Sequence, residues 1–232
     1  MPVLVAGPAA ELIDARESTA SRLPIAVAVI VVATAILLFA LTGSLVVPVK
    51  ALLMNLLTLG ATLGVLVAVF QWGWGSGLLG FTPWGALDLT TPLLLFVFIF
   101  GLSMDYEVFL LSRIKESYDE CGDSDHAVAT GLQRSGRIIT SAALLITIVF
   151  AGFAAGQNLG IKQMGVALTV AVLVDATVVR CLLVPATMTL LGDGNWWAPR
   201  PLRRLHARFG LHEAPATAVA PHRAPVPAGA QS

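Results

Sequence analysis

The sequence predicts an all-α integral membrane protein, a bundle of five transmembrane helices, on three observations. The 232-residue chain is 56% hydrophobic and only 12% charged, with a mean hydropathy of +0.83, outside the ordinary soluble range. Five apolar runs each approach the roughly twenty residues that a helix needs to cross about 30 Å of hydrocarbon. None shows the sustained period-two alternation of a barrel strand. The formal net charge is zero, so bulk charge points to no nucleic-acid or acidic partner, and what the charges say lies in their placement.

Residues 1–22 carry Glu11, Asp14 and Glu17 and lack a basic n-region, so they read as an extracytoplasmic segment rather than a cleavable signal peptide. The spans then run over 23–45, 49–72, 91–113, 138–156 and 164–191. The first link, Thr42 to Lys50, is short, with Pro48 near the start of the second helix, where a missing N–H costs little. Residues 71–90 hold Trp72, Trp74, Phe81 and Trp84 among glycines with no basic residue, the composition of an aromatic belt on the outer side. Arg113, Lys115, Arg134 and Arg137 flank a polar loop over 114–137, and Arg200, Arg203, Arg204 and Arg208 follow the last span. The positive-inside rule places both in the cytoplasm and the amino terminus outside, against a smaller opposing count from Arg16 and Arg22. Within the loop a short surface helix is expected from His126 to about Gln133, with Ser124 or Asp125 as its cap. Residues 192–232 form a cytoplasmic tail, which beyond Leu211 is rich in Ala and Pro and expected to be disordered.

The third span carries the chemistry. Asp105 and Glu107 interrupt an apolar run, and a carboxylate at a helix centre costs roughly 3 kcal/mol on insertion scales, which makes it a functional candidate. Counting from Pro92, Asp105 lies roughly 20 Å down the helix. Asp105 and Glu107 point to nearly opposite faces, and Gly101 and Phe109 share the face of Asp105. Burial favours a neutral acid there, while the neighbouring Tyr106 or a water path favours the charged form, which is how a proton site is built. The alternative is an acid that only hydrogen-bonds neighbouring helices. Asp175 is a second buried acid, near the middle of the fifth span, and is open to either use. Arg180 follows five residues later, about 140° round an α-helix, so the two are poorly placed to pair on one helix. Arg180 therefore snorkels to the interface or meets another helix.

Other chemistries fail. Gly131 to Ile138 has phosphate-loop glycine spacing but no Lys or following Ser/Thr, and no strand precedes it, so nucleotide binding is rejected. His126, His206, His212 and His222 all lie in loop or tail segments without metal-ligand spacing. Cys121 and Cys181 form no disulfide or metal pattern. A membrane aspartyl protease would need a glycine-containing motif around its second aspartate, and none surrounds Asp175. No enzyme, metal or cofactor is expected.

The run Gly101-Leu102-Ser103-Met104-Asp105-Tyr106-Glu107-Val108-Phe109-Leu110-Leu111-Ser112-Arg113-Ile114 resembles the tenth transmembrane helix of the MmpL family, within the resistance-nodulation-division superfamily. Matching segments follow in family order: Pro48 to Leu52 through Asn55 to Leu57, Gly77 to Pro83, Val174 to Arg180, and Asn195 to Pro199. The resemblance implies helices 8–12 of such a transporter, in the plasma (inner) membrane. Its implied function is export of lipids or other hydrophobic compounds, with the proton gradient as energy source. It further implies that Asp105 and Tyr106 are half of a proton relay that pairs with an Asp-Tyr pair on the fourth helix, with Glu107, Asp175 and Arg180 as supporting polar positions. A complete member has about twelve spans and two extracytoplasmic domains. The chain thus resembles a carboxyl-terminal fragment, with residues 1–22 as the end of a porter domain and the amino-terminal half as a missing partner. The alternatives are a non-transporting membrane subunit or remnant, and a SecDF-like accessory of protein export.

Overall fold

The computed structural model describes residues 7–82 and 90–209. The tail beyond Leu211 and Trp84 lie outside that range. Among the described residues all regular structure is helical, and five helical rods are long and apolar enough to cross a membrane.

The first rod, α1 (Pro8–Thr42), starts well before the apolar run at Leu23, so the polar stretch through Glu17 extends the rod rather than standing apart from it. Gly43 ends it at φ 68°, donating its N–H to the Phe39 carbonyl at 2.8 Å, a left-handed stop that favours glycine. After three residues α2 (Val46–Leu66) begins, with Pro48 in its first turn, and it closes through a π turn, Val67–Gln71. A short helix, α3 (Ser76–Leu79), follows. Around it Trp72 and Trp74 are exposed, while Phe81 packs on Phe70 with ring centroids 4.7 Å apart.

The stretch expected as a loop over 114–137 is helical except at its tip. α4 (Thr90–Cys121) continues eight residues past Arg113, turns at Gly122-Asp123, and α5 (Ser124–Ala154) runs from there without a break. No separate surface helix exists over 126–133. The cap is Asp123, whose Oδ1 accepts from the Asp125 N–H at 3.0 Å and the His126 N–H at 3.3 Å. The extension has local support: Arg113 pairs with Glu116 and Lys115 with Asp119, one turn apart on the same face. Gly131 lets α5 cross α4 closely, since a Cβ there would lie 2.5 Å from Ile114 Cγ1.

The last rod begins with α6 (Leu159–Val174), capped by Asn158. It continues as a nine-residue π segment, Asp175–Leu183, and ends as α7 (Val184–Leu191). Pro185 lies two residues beyond the π segment, where its ring would crowd the Cys181 carbonyl and its nitrogen could not donate to it in α register. The wider turn accommodates both. A 3₁₀ turn, Gly192–Trp196, then leads to α8 (Arg200–Phe209).

The rods α2, α4, α5 and α6 pack on one another around two apolar clusters. One holds Leu66, Phe70, Leu95, Ile99 and Leu168; the other holds Ala51, Leu110, Ile114, Val179 and Met188. On α2, α4 and the last rod, the residues between those clusters in sequence include Asn55, Thr58, Ser103, Tyr106 and Asp175, so a polar layer crosses the middle of the bundle. The outer faces carry exposed Val29, Val32, Ile36, Leu53, Leu56, Leu144 and Ile148, a surface suited to lipid rather than water.

Candidate functional site

The polar layer is built by α4 meeting the π segment. On α4 the positions Leu95, Ile99, Ser103 and Leu110 recur at helical spacing and are all buried, so Ser103 looks inward with the apolar stripe. Its Oγ donates to Asp175 Oδ1 at 3.0 Å. Arg180 Nε donates to Asp175 Oδ2 at 2.7 Å, and its Nη2 donates to the Ser103 carbonyl at 2.6 Å. Asp175 is 8% and Arg180 4% exposed, so the pair lies inside the bundle, not at the interface.

This corrects the expectation that Asp175 and Arg180 are poorly placed to pair and that Arg180 snorkels to the interface; the alternative that it meets another helix holds, through Ser103 on α4. The 140° offset holds for an α-helix, but in a π segment hydrogen bonds run from i to i+5, stacking residues five apart on one face. The segment starts at Asp175, and so carries Arg180 back beneath the carboxylate. An uncompensated buried ion would be far more costly than this arrangement, in which each carboxylate oxygen receives a donor.

Tyr106 borders this network through its ring. The Arg180 guanidinium stands 5.2 Å from the Tyr106 ring centroid, within cation–π range. Ser103, Tyr106, Asp175, Arg180 and Thr58 line a cavity of about 20 Å³, enough room for one water. Nη1 of Arg180 has no protein partner. Glu107 is half-buried, within electrostatic reach of Lys50, Asp175 and Arg180. Lys50 itself donates to Asn195 Oδ1 at 2.9 Å.

Asp105 stands apart. It is exposed on the flank of the bundle, and no hydrogen bond or ion pair joins it to any described residue. One helical step separates it from Tyr106, so the carboxylate faces outward while the tyrosine ring leans on the buried arginine. The structure therefore brings Ser103, Tyr106, Asp175 and Arg180 together and leaves Asp105 directed away from them.

Three members of the layer, Ser103, Asn55 and Thr58, were not singled out from the sequence. Ser103 was visible only as a small hydroxyl inside the acidic run, a pattern shared by countless helix contacts. Asn55 is 1% exposed with both amide atoms unpartnered among protein groups; an amide early in the 49–72 apolar run is its only signal. The glycine-spaced stretch from Gly131 to Ile138 is continuous helix.

A sequence profile described as the MMPL family matches residues 1–226. The chain is 52% identical over 95% of its length to the membrane protein SCO6666 of Streptomyces coelicolor, covering 31% of that protein. It is 42% identical over 98% of its length to the trehalose monomycolate exporter MmpL3 of Mycobacterium tuberculosis, covering 25% of it. It is 45% identical over 87% of its length to the heme uptake protein MmpL11 of the same organism, covering 21% of it. The chain thus spans between about a fifth and a third of the length of these relatives.

Proposed function

Since the chain belongs to the MMPL family, we propose that it supplies the carboxyl-terminal helices of a proton-driven transporter that exports lipids or other hydrophobic compounds across the plasma membrane. The single observation that carries this reading is the outward-facing Asp105 in the middle of an apolar rod. A carboxylate facing acyl chains is strongly disfavoured, so its face calls for a polar partner from another set of helices. An amino-terminal half with its own acid and tyrosine answers that need.

In this scheme Asp105 takes and releases the proton. When charged, it holds the partner helix through hydrogen bonds; when neutral, it loosens that contact and the two halves shift. Tyr106 sits between Asp105 and the fixed positive charge of Arg180, where its hydroxyl can pass a hydrogen bond to the acid. Arg180, bonded to Asp175 and Ser103, lies against the other side of the Tyr106 ring. The relatives are named for trehalose monomycolate export in MmpL3 and for heme uptake in MmpL11 of Mycobacterium tuberculosis. The carboxyl end of the chain lies in the cytoplasm and the amino end outside, by the basic residues beyond Leu191 and around the α4–α5 turn.

The test is proton uptake by vesicles carrying the transporter that contains this chain, driven by an imposed pH gradient. Asp105→Asn should reduce cargo-coupled uptake to background while Asp105→Glu retains part of it. Undiminished coupling in Asp105→Asn would remove the relay role, and no cargo-coupled uptake in the wild type would leave a non-transporting membrane subunit.

A further inference from the structure

The end of the bundle that carries the basic residues holds a second built site, unrelated to the polar layer. A cleft of about 650 Å³ opens there, lined by Lys115, Tyr118, Asp193, Trp196, Trp197, Arg203 and His206 with the end of α1. Its walls are fixed. Asn195 donates from Nδ2 to the Met188 carbonyl at 2.6 Å and to the Gly192 carbonyl at 2.7 Å. Ser44 Oγ donates to the Asn195 carbonyl at 2.5 Å, and the Leu45 N–H donates to the Trp197 carbonyl at 3.1 Å. On the opposite side α8 is seated on α1: a ring nitrogen of His206 lies 3.1 Å from the Ala40 carbonyl, and the ring fills the notch at Gly43. A Cβ at Gly43 would lie 2.9 Å from that ring, and φ 68° independently favours glycine there.

The cleft gathers positive charge against aromatic surface at the level where the rods leave the membrane. Tyr118 and Trp196 stack with centroids 4.6 Å apart, and the Lys115 ammonium lies 5.3 Å from the Trp196 centroid. Lys115 also pairs with Asp119, and Asp193 is the acid of the lining. Arg203 completes the lining, while Arg200 and Arg204 flank it on the same short helix; all three are exposed, and none has an ion-pair partner among the described residues. The lining itself sets two cations, Lys115 and Arg203, against one carboxylate, Asp193. Basic clefts between membrane helices at the headgroup level attract anionic lipids, and aromatic rings at that depth sit against the glycerol region.

We propose that this cleft is a binding site for the phosphate headgroup of an anionic phospholipid, held by Lys115 and Arg203 and supported by Arg200 and Arg204. The site tethers α8 to the bilayer and clamps the connection between the first, third and fifth rods. It does not depend on the proton-relay reading, since every residue it uses lies outside the polar layer.

The test is native mass spectrometry of the purified full chain in detergent, titrated with phosphatidylglycerol and, separately, phosphatidylcholine. The wild type should retain phosphatidylglycerol at least tenfold more strongly. Arg203→Gln, which removes one exposed charge, should weaken phosphatidylglycerol about fivefold, and Lys115→Gln with Arg203→Gln about twentyfold, with phosphatidylcholine unchanged. Arg203→Lys should keep the preference, and Arg113→Gln, at the same end but paired with Glu116, should leave it intact. Equal retention of both lipids or an unaltered preference in Arg203→Gln would overturn the proposal.

Discussion

Arg180→Met isolates the energetic contribution of the π segment. The substitution removes the 2.7 Å bond to Asp175 and the 2.6 Å bond to the Ser103 carbonyl, leaving a buried carboxylate with only the Ser103 hydroxyl. Removing one partner of a buried ion pair costs about 3–5 kcal/mol, because the remaining charge is stranded. For a chain of this size that corresponds to a fall in melting temperature of roughly 10 °C. Asp175→Leu combined with Arg180→Met removes both charges, and replacing a buried pair by apolar side chains is often neutral or stabilising. The double variant should therefore melt close to the wild type although it carries one more change than the single variant. The assay is thermal unfolding of the detergent-solubilised chain followed by circular dichroism. An Arg180→Met variant that melts with the wild type, or a double variant as unstable as the single one, would refute the pairing.

Three further substitutions probe the remaining structure by the same assay. Gly131→Val puts a side chain against Ile114 at the α4–α5 crossing and should cost about 1–3 kcal/mol through overpacking. Asp123→Ala removes the cap of α5 and should cost about 1 kcal/mol. Asn55→Leu replaces a buried amide that no protein group bonds by an apolar side chain of similar size, and should raise stability by about 1 kcal/mol; a loss of stability would show that Asn55 has a bonded partner in the folded bundle.

The bundle was legible in the sequence because a membrane span advertises itself by length and apolarity alone, and each of the five rods covers most of one of the five apolar runs. The 114–137 region was not, because hydropathy falls where α4 and α5 leave the membrane, while the helix persists on pairs such as Lys115 with Asp119 and on the Asp123 cap. Local electrostatics, not apolarity, sets those ends. The acidic residues were visible through their cost, but which way they face was not. Projecting Asp175 and Arg180 on an α-helical wheel separates them, and only the change of helical period rejoins them. Pro185 was the available warning that the period is disturbed nearby. Asp105 shows the converse: its position off the stripe of Ile99, Ser103 and Leu110 follows from spacing alone.

The outward face of Asp105 is the centre of the account, and cysteine cross-linking tests it most directly. In the proposed two-half transporter, with Cys121 and Cys181 replaced by serine, Gly101→Cys and Phe109→Cys share the Asp105 face, while Ile99→Cys points into the bundle with 3% exposure. The account predicts that the first two form disulfides with cysteines placed beside the corresponding Asp-Tyr pair of the other half, and that Ile99→Cys does not. Cross-linking through Ile99→Cys with none through Gly101→Cys or Phe109→Cys would contradict it.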